Sequence, residues 1–125
     1  HQMAVHDLLP VGVDDAVRHA ALLHDVIEDT DETAESLLAM GYSERTVKIV
    51  SLVSRDKSDG KTYHEFIESI AESDETGAIL VKLADLAHNS DPERLAQLPP
   101  DKAAGLGKRY AKATTTLTAA LVRLS

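Results

Sequence analysis

The sequence predicts an all-α fold, a compact helical bundle formed by a single domain over residues 1–125. Aromatic residues are scarce, with one Phe, three Tyr and no Trp, so Leu, Ala and Val must build the core, which suits close-packed helices better than a sheet. No segment shows the alternation of a strand, and the C-terminal segment carries an apolar stripe at alternating spacings of 3 and 4 residues. The stripe consists of Ala103, Leu106, Tyr110, Ala113, Leu117, Ala120 and Leu124.

The first two helices are predicted before residue 30. Segment 1–9 is short and amphipathic, and Pro10 stops it. The next helix is capped by Asp14 or Asp15, because a short carboxylate side chain accepts hydrogen bonds from the free backbone N–H groups at a helix start. Apolar residues at helical spacing continue this second helix to about Glu28.

Two further helices are predicted in the middle of the chain. Thr33 is an N-cap for a short helix that runs to Ala39, and Gly41 closes it. Ser43 caps the next helix, which has valines along one face. Residues 56–60 then form a charged loop that ends in glycine.

The second half predicts three helices separated by short connections. Segments 62–71 and 75–89 have helical periodicity and are joined by a short polar link. Pro92 and the proline pair at 99–100 mark loops, and the last helix begins at Asp101.

Composition excludes several classes of function. A net charge of -8 argues against binding a nucleic-acid backbone, which requires a basic face, but local lysines and a metal can still bind a small anion. No run approaches the ~18 apolar residues of a membrane span. The absence of cysteine excludes disulfides and thiolate metal sites and is compatible with the cytoplasm, where we expect the protein to reside.

Clustered polar residues interrupt the apolar pattern of the second helix. Segment 22–30 places one imidazole and three carboxylates within six residues, which indicates either a metal site or a solvated helix end. Another aspartate, Asp85, lies in an otherwise apolar helical segment. Together, His1, His24, Asp25 and Asp85 would supply two imidazoles and two carboxylates, a complete donor set for a divalent metal.

Helical geometry suggests roles for the carboxylates that follow. Adjacent helical residues lie about 100° apart, so His24 and Asp25 can both reach a metal at the edge of one face. Glu28 and Asp29 follow Asp25 at i+3 and i+4 and therefore lie beside the same metal. A carboxylate placed there can orient and deprotonate the attacking water.

A polar stripe also runs along the predicted helix 75–89. Lys82, Asp85 and Asn89 have the spacing i, i+3, i+7, so Asp85 can complete a metal shell and Asn89 can hydrogen-bond substrate or water. His88 is predicted to point away from this stripe and to be structural.

Each feature also has a purely structural interpretation. The acidic run 28–32 could be a solvated helix end, and His1 could be the remnant of an affinity tag. Tyr110 lies on the apolar stripe and is as compatible with the core as with ligand binding. The order and separation of the residues, taken together, favour a site.

Three motifs carry a resemblance to a known family. Residues 1–5 (HQMAV) are similar to its HP-x-x-VA opening, with Gln2 in place of proline; residues 20–30 reproduce AALLHDxxEDT, and residues 81–89 reproduce VKLADxxxN. The chain thus resembles the HD-domain metal-dependent phosphohydrolases, in particular the hydrolase domain of RelA/SpoT-type alarmone enzymes and the small stand-alone alarmone hydrolases. The resemblance implies an HD-domain helical bundle.

The resemblance also implies a site with one divalent ion, typically Mn²⁺, a catalytic pair of carboxylates and a set of nucleotide contacts. The implied metal ligands are His1, His24, Asp25 and Asp85. The implied catalytic pair is Glu28 and Asp29. The implied nucleotide contacts are Arg55, Lys57, Lys61, Tyr63, Asn89 and Tyr110, of which the first three form a basic cluster.

Three functions are compatible with these residues. The leading hypothesis is removal of the 3′-pyrophosphate from a guanosine alarmone such as ppGpp. The second is the same chemistry on another nucleotide or small phosphoester, since this chain has Leu86 and Ala87 where many family members carry a basic residue. The third, a non-catalytic nucleotide-binding module, is disfavoured by the intact Glu28-Asp29 pair. We also expect a native segment before His1, since the sequence opens without Met.

Overall fold

A computed structural model describes residues 1–125 of the chain, except for the side chain of Lys57. Its regular secondary structure is entirely helical within this described part, which confirms the all-α prediction. The helices are α1 (Gln2–Asp7), α2 (Asp15–Leu23), α3 (Val26–Asp29), α4 (Ala34–Ala39), α5 (Glu44–Val53), α6 (Tyr63–Glu72), α7 (Thr76–Asn89), α8 (Pro92–Leu95) and α9 (Pro100–Leu124), with a 3₁₀ turn at Lys57–Asp59.

Short polar side chains begin the helices at the predicted residues. The Asp14 carboxylate accepts the backbone N–H of Val17 at the start of α2. The hydroxyl of Ser43 accepts the N–H of Thr46 at the start of α5. Thr33 begins α4 in the same way. Each cap satisfies a backbone donor that the helix leaves free, so the local sequence is sufficient to place these helix starts.

Two predicted boundaries are wrong. The helix expected to continue to about Glu28 ends instead at Leu23, and α3 starts after a turn at His24 and Asp25. The His24 ring donates a hydrogen bond from Nδ1 to the carbonyl of Ala21 at 2.7 Å, using the acceptor that a continuous helix would offer to the N–H of Asp25. In addition, Pro92 starts α8 rather than a loop, because proline is well accommodated in the first helical turn.

Helix α7 lies at the centre of the bundle and packs against α1, α2, α5, α6 and α9. Asp85 of α7 is buried although it is polar. The buried apolar side chains of α7 are Ala78, Ile79, Val81, Ala84 and Leu86. None of the described helices is both long enough and apolar enough to cross a membrane. The largest fully buried apolar side chains are Val5, Leu37, Ile49, Val50, Ile67, Ile70, Ile79, Val81, Leu86 and Leu117.

Gly77 allows α7 to approach its neighbours closely. A Cβ atom at this position would lie 2.7 Å from Cδ1 of Ile49 and 3.0 Å from Cγ2 of Val17, and both side chains are buried. We expect Gly77→Ala to lower the free energy of unfolding, because overpacking costs about 1–3 kcal/mol, whereas alanine gains only about 1 kcal/mol of helix propensity. Urea denaturation measures the change.

Gly105→Ala in α9 is the matched control, because a Cβ there meets no atom within 4 Å. This control should gain up to about 1 kcal/mol of stability from helix propensity alone. If Gly77→Ala is as stabilising as the control, the close approach of α7 to α5 does not require glycine at position 77.

Candidate active site

Four predicted metal ligands, far apart in the sequence, come together at one end of the bundle. His1 precedes the first turn of α1, His24 and Asp25 form the turn between α2 and α3, and Asp85 projects from α7. The potential ligand atoms of His1, His24 and Asp25 all lie within 4.8 Å of one another. His1 Nε2 also lies 2.7 Å from Asp85 Oδ1, so all four side chains share one corner.

Asp85 connects the two halves of this corner. Its Oδ1 lies 2.7 Å from His1 Nε2 and 3.4 Å from His24 Nε2, and its Oδ2 accepts a 2.9 Å hydrogen bond from Lys82. The amide of Asn89 donates to Oδ1 at 3.2 Å. Burial alone would raise the pKa of Asp85, but the neighbouring His24 and Lys82 lower it to about 2. Asp85 is therefore an ionised carboxylate in a buried position.

His24 presents one ring nitrogen to the same corner. Because a carbonyl can only accept, the contact with Ala21 fixes the proton at Nδ1 and directs Nε2 toward the carboxylates. Nε2 is buried without a hydrogen-bond partner, although Asp25 Oδ2 lies only 3.2 Å away. Burial disfavours a charged ring, yet Asp25 and Asp85 outweigh it and raise the pKa of His24 to about 10. The field at Nε2 thus strongly favours a positive charge.

The predicted catalytic carboxylates lie next to this corner. Glu28 and Asp29, both in α3, line an open cleft of about 710 Å³ together with Arg55. Oε1 of Glu28 accepts a hydrogen bond from the backbone N–H of Arg55. Burial raises the pKa of Glu28 above the ordinary glutamate value despite that hydrogen bond and the nearby Lys82. A carboxylate with a raised pKa is better suited to accept a proton near neutral pH.

Two arginines flank the tyrosine predicted to contact a nucleotide. The guanidinium of Arg109 lies 4.0 Å from the ring centre of Tyr63, and that of Arg55 lies 5.4 Å from it. Neither arginine forms an ion pair with a carboxylate in the part of the chain that the structure describes. In a protein of net charge -8, two such arginines beside Tyr63 provide local positive charge that could bind an anion.

A smaller cleft of about 300 Å³ is lined by Asn89, Arg94 and Tyr110. Asn89 connects this cleft to the corner that contains Asp85, since its amide donates to Asp85 and its Oδ1 accepts from Arg94 at 3.4 Å. Tyr110, which the sequence left open between core and site, lines this cleft and also packs against the core.

The predicted basic cluster is only partly brought to the site. Arg55 lines the cleft, whereas the ammonium of Lys61 donates to Ser69 on the exposed surface of α6 at 3.2 Å. The prediction for Lys57 lies outside the described residues, because its side chain is not described.

Sequence reasoning missed three polar residues of the site. His88 was expected to point away from Asp85, but its Nδ1 lies 2.6 Å from Nδ1 of His1. The spacing i, i+3 from Asp85 to His88 could have predicted a shared face. Arg94 and Arg109 carry no such signal, because their contacts with Asn89 and Tyr63 depend on how the helices pack.

Known proteins similar to this chain are long bacterial enzymes. A probable guanosine-3′,5′-bis(diphosphate) 3′-pyrophosphohydrolase of Synechocystis sp. is 34% identical over 97% of this chain and 16% of its own length. The bifunctional (p)ppGpp synthase/hydrolase SpoT of Escherichia coli is 36% identical over 82% of this chain and 15% of its own length. A probable GTP pyrophosphokinase of Mycobacterium leprae is 32% identical over 83% of this chain and 14% of its own length.

The chain spans only 14% to 16% of the length of these three curated relatives. No protein-family model matches it. Two of these relatives nevertheless carry the names of alarmone hydrolases, which is the family that the motifs at residues 20–30 and 81–89 resemble. The predicted resemblance is therefore confirmed: most of this chain is similar to one segment of the RelA/SpoT-type alarmone enzymes.

Proposed function

We propose that this chain is a Mn²⁺-dependent hydrolase that removes pyrophosphate from the ribose 3′ position of a guanosine alarmone such as ppGpp. The observation that carries the proposal is the convergence of two histidines and two aspartates beside a cleft that contains Glu28 and Asp29. The names of the relatives from Synechocystis and Escherichia coli support this choice of substrate.

The donor set fits a divalent cation. Two imidazoles and two carboxylates suit Mn²⁺ and similar ions, and the buried, unpartnered Nε2 of His24 is the nitrogen that would bind one. The ligands would be His1, His24, Asp25 and Asp85. When bound, the ion would act as a Lewis acid and offset negative charge that develops on the phosphate.

Glu28 and Asp29 would manage the proton. They lie in the cleft wall next to the proposed ligands, and the raised pKa of Glu28 suits a general base. Water attacks the phosphorus next to the sugar oxygen, its proton passes to the carboxylate, and the bond between that phosphorus and the ribose 3′ oxygen breaks. The 3′ oxygen leaves with a proton, so ppGpp and water give GDP and pyrophosphate.

The remaining phosphates require positive charge, although the protein as a whole is acidic. Arg55 and Arg109 beside Tyr63 supply it on one side of the corner, and Arg94 beside Asn89 supplies it on another. Guanidinium groups bind phosphate oxygens in bidentate fashion, and local charge at contact distance outweighs net charge.

The proposal is tested by incubating the Mn²⁺-loaded protein with a nucleotide panel and measuring released pyrophosphate and orthophosphate. Pyrophosphate and GDP from ppGpp are expected. Cleavage of an ordinary nucleoside phosphate with ppGpp left intact would favour the second hypothesis, a hydrolase of other phosphoesters. Tight binding of ppGpp without any turnover would instead indicate a nucleotide-binding module.

Replacing Arg109 should weaken substrate binding more than it slows the chemical step. Arg109→Met removes the guanidinium stacked on Tyr63, and a hydrogen bond to a charged group contributes about 1.5–3 kcal/mol, so KM should rise roughly tenfold or more. Steady-state kinetics with ppGpp provide the measurement.

The matched control is Lys108→Met, which makes the same charge change at the neighbouring exposed position of α9. This control should leave KM within about twofold, since in the described structure Lys108 neither contacts Tyr63 nor lines the cleft that Tyr63 and Arg109 share. Equal increases in KM for both variants would show that only the overall charge matters and would remove Arg109 from the binding site.

A further inference from the structure

His88 contacts the proposed ligand His1 on the side away from Asp85. Its Nδ1 lies 2.6 Å from Nδ1 of His1, and the two rings are nearly parallel, with an angle of 24° and a distance of 4.9 Å between ring centres. The other nitrogen of His1, Nε2, faces Asp85 at 2.7 Å. Each ring nitrogen of His1 therefore has its own partner, from two positions one turn apart on α7.

These contacts restrict where the ring protons can be. A neutral imidazole carries one ring proton, and a nitrogen that binds a metal must be unprotonated. If Nε2 of His1 binds the ion, its proton must be at Nδ1 and must be donated to Nδ1 of His88. His88 must then accept at Nδ1 and carry its own proton at Nε2.

We infer that His88 is a positioning residue that fixes both the orientation and the tautomer of His1 for metal binding. The inference rests on the metal site of the proposed function. His1 precedes the first turn of α1 and makes no cap hydrogen bond there with its side chain, so the helix does not orient the ring. The carbonyl of Ala21 accepts the Nδ1 proton of His24, and in the same way Nδ1 of His88 would accept the Nδ1 proton of His1. Partners of this kind typically contribute 10- to 100-fold in metal affinity.

Packing is the alternative explanation, because a ring placed against His1 would also fill space. The two explanations differ in what His88 must supply. Packing requires only a side chain of similar size, which leucine provides. Positioning requires a hydrogen-bond acceptor, which asparagine provides because its Oδ1 occupies about the same place along the side chain as Nδ1 of histidine.

The test compares Mn²⁺ binding by calorimetry in the wild type, His88→Leu and His88→Asn. His64→Leu, at a half-exposed histidine on α6 that pairs with Glu68, serves as the control. We expect His88→Leu to bind Mn²⁺ about 10- to 100-fold more weakly, and His88→Asn and the control to bind within a few-fold of the wild type. Equal affinity in the wild type and His88→Leu would overturn the inference and leave the proposed function intact.

A second measurement uses only the wild-type protein, so its result does not depend on whether the variants fold. In ¹⁵N-labelled wild-type protein loaded with diamagnetic Zn²⁺, two-bond ¹H–¹⁵N correlations report which nitrogen of each ring is protonated. We expect His1 to be protonated at Nδ1 and His88 at Nε2, and a proton at Nδ1 of His88 would overturn the inference. If the wild type binds neither Mn²⁺ nor Zn²⁺, the proposed function fails, and this inference fails with it.

Discussion

Alanine at His24 is expected to abolish both metal binding and hydrolysis. The variant removes the buried Nε2, which is a proposed metal ligand, and leaves Asp25 and Asp85 without the imidazole that lies close to both. A catalytic metal stabilises the transition state by several kcal/mol, and each step of about 1.4 kcal/mol corresponds to a tenfold change in rate. Activity should therefore fall by at least about a thousandfold. Metal content after dialysis, measured by mass spectrometry, should fall from one ion per chain to near zero.

Two further variants show whether the loss is specific. Asp25→Asn keeps the size of the side chain and removes its charge, and it should lose metal in the same way. His19→Ala removes another histidine of α2, one that packs edge-on against Tyr42 with 6.2 Å between ring centres, and it should retain metal and activity. A metal-loaded, active His24→Ala protein with normal helix content would exclude His24 as a ligand.

Local sequence is sufficient to predict where most helices begin. Asp14, Thr33 and Ser43 cap the helices that their positions predict, because capping depends on one side chain and the next backbone N–H groups. The break at His24 cannot be predicted in this way. It depends on a histidine ring that bonds to the carbonyl of Ala21, and apolar periodicity continues across the break.

The site, like the fold, has a part that the sequence predicts and a part that depends on tertiary packing. The order of His1, His24, Asp25 and Asp85 in the sequence is enough to indicate a donor set, since few other patterns place these side chains in apolar segments. The surroundings of that set depend on contacts between distant residues. The stack of Arg109 on Tyr63 requires α9 to pack against α6. The Lys61 side chain binds Ser69 on α6, whereas Arg55 lines the cleft, and sequence proximity does not predict that difference.

Glutamine at Glu28 is expected to keep the metal and lose most of the rate. Glu28 is not among the residues whose ligand atoms converge, and a glutamine Oε1 can still accept the N–H of Arg55, so the cleft should keep its shape. Glutamine cannot accept a proton from water, and general-base catalysis contributes about 10²- to 10⁴-fold. We therefore expect kcat to fall by that factor while KM changes little, as for an interaction made only in the transition state.

Glu35→Gln, an exposed change of the same kind on α4, is the control and should be silent in kcat, KM and metal content. Asp29→Asn distinguishes the two cleft carboxylates, because the one that takes the proton should show the larger loss. Metal content decides the division of roles between ligands and catalytic residues. If Glu28→Gln loses its ion in proportion to its activity, Glu28 is itself a ligand, and proton transfer must then be assigned to Asp29, the other carboxylate of the cleft.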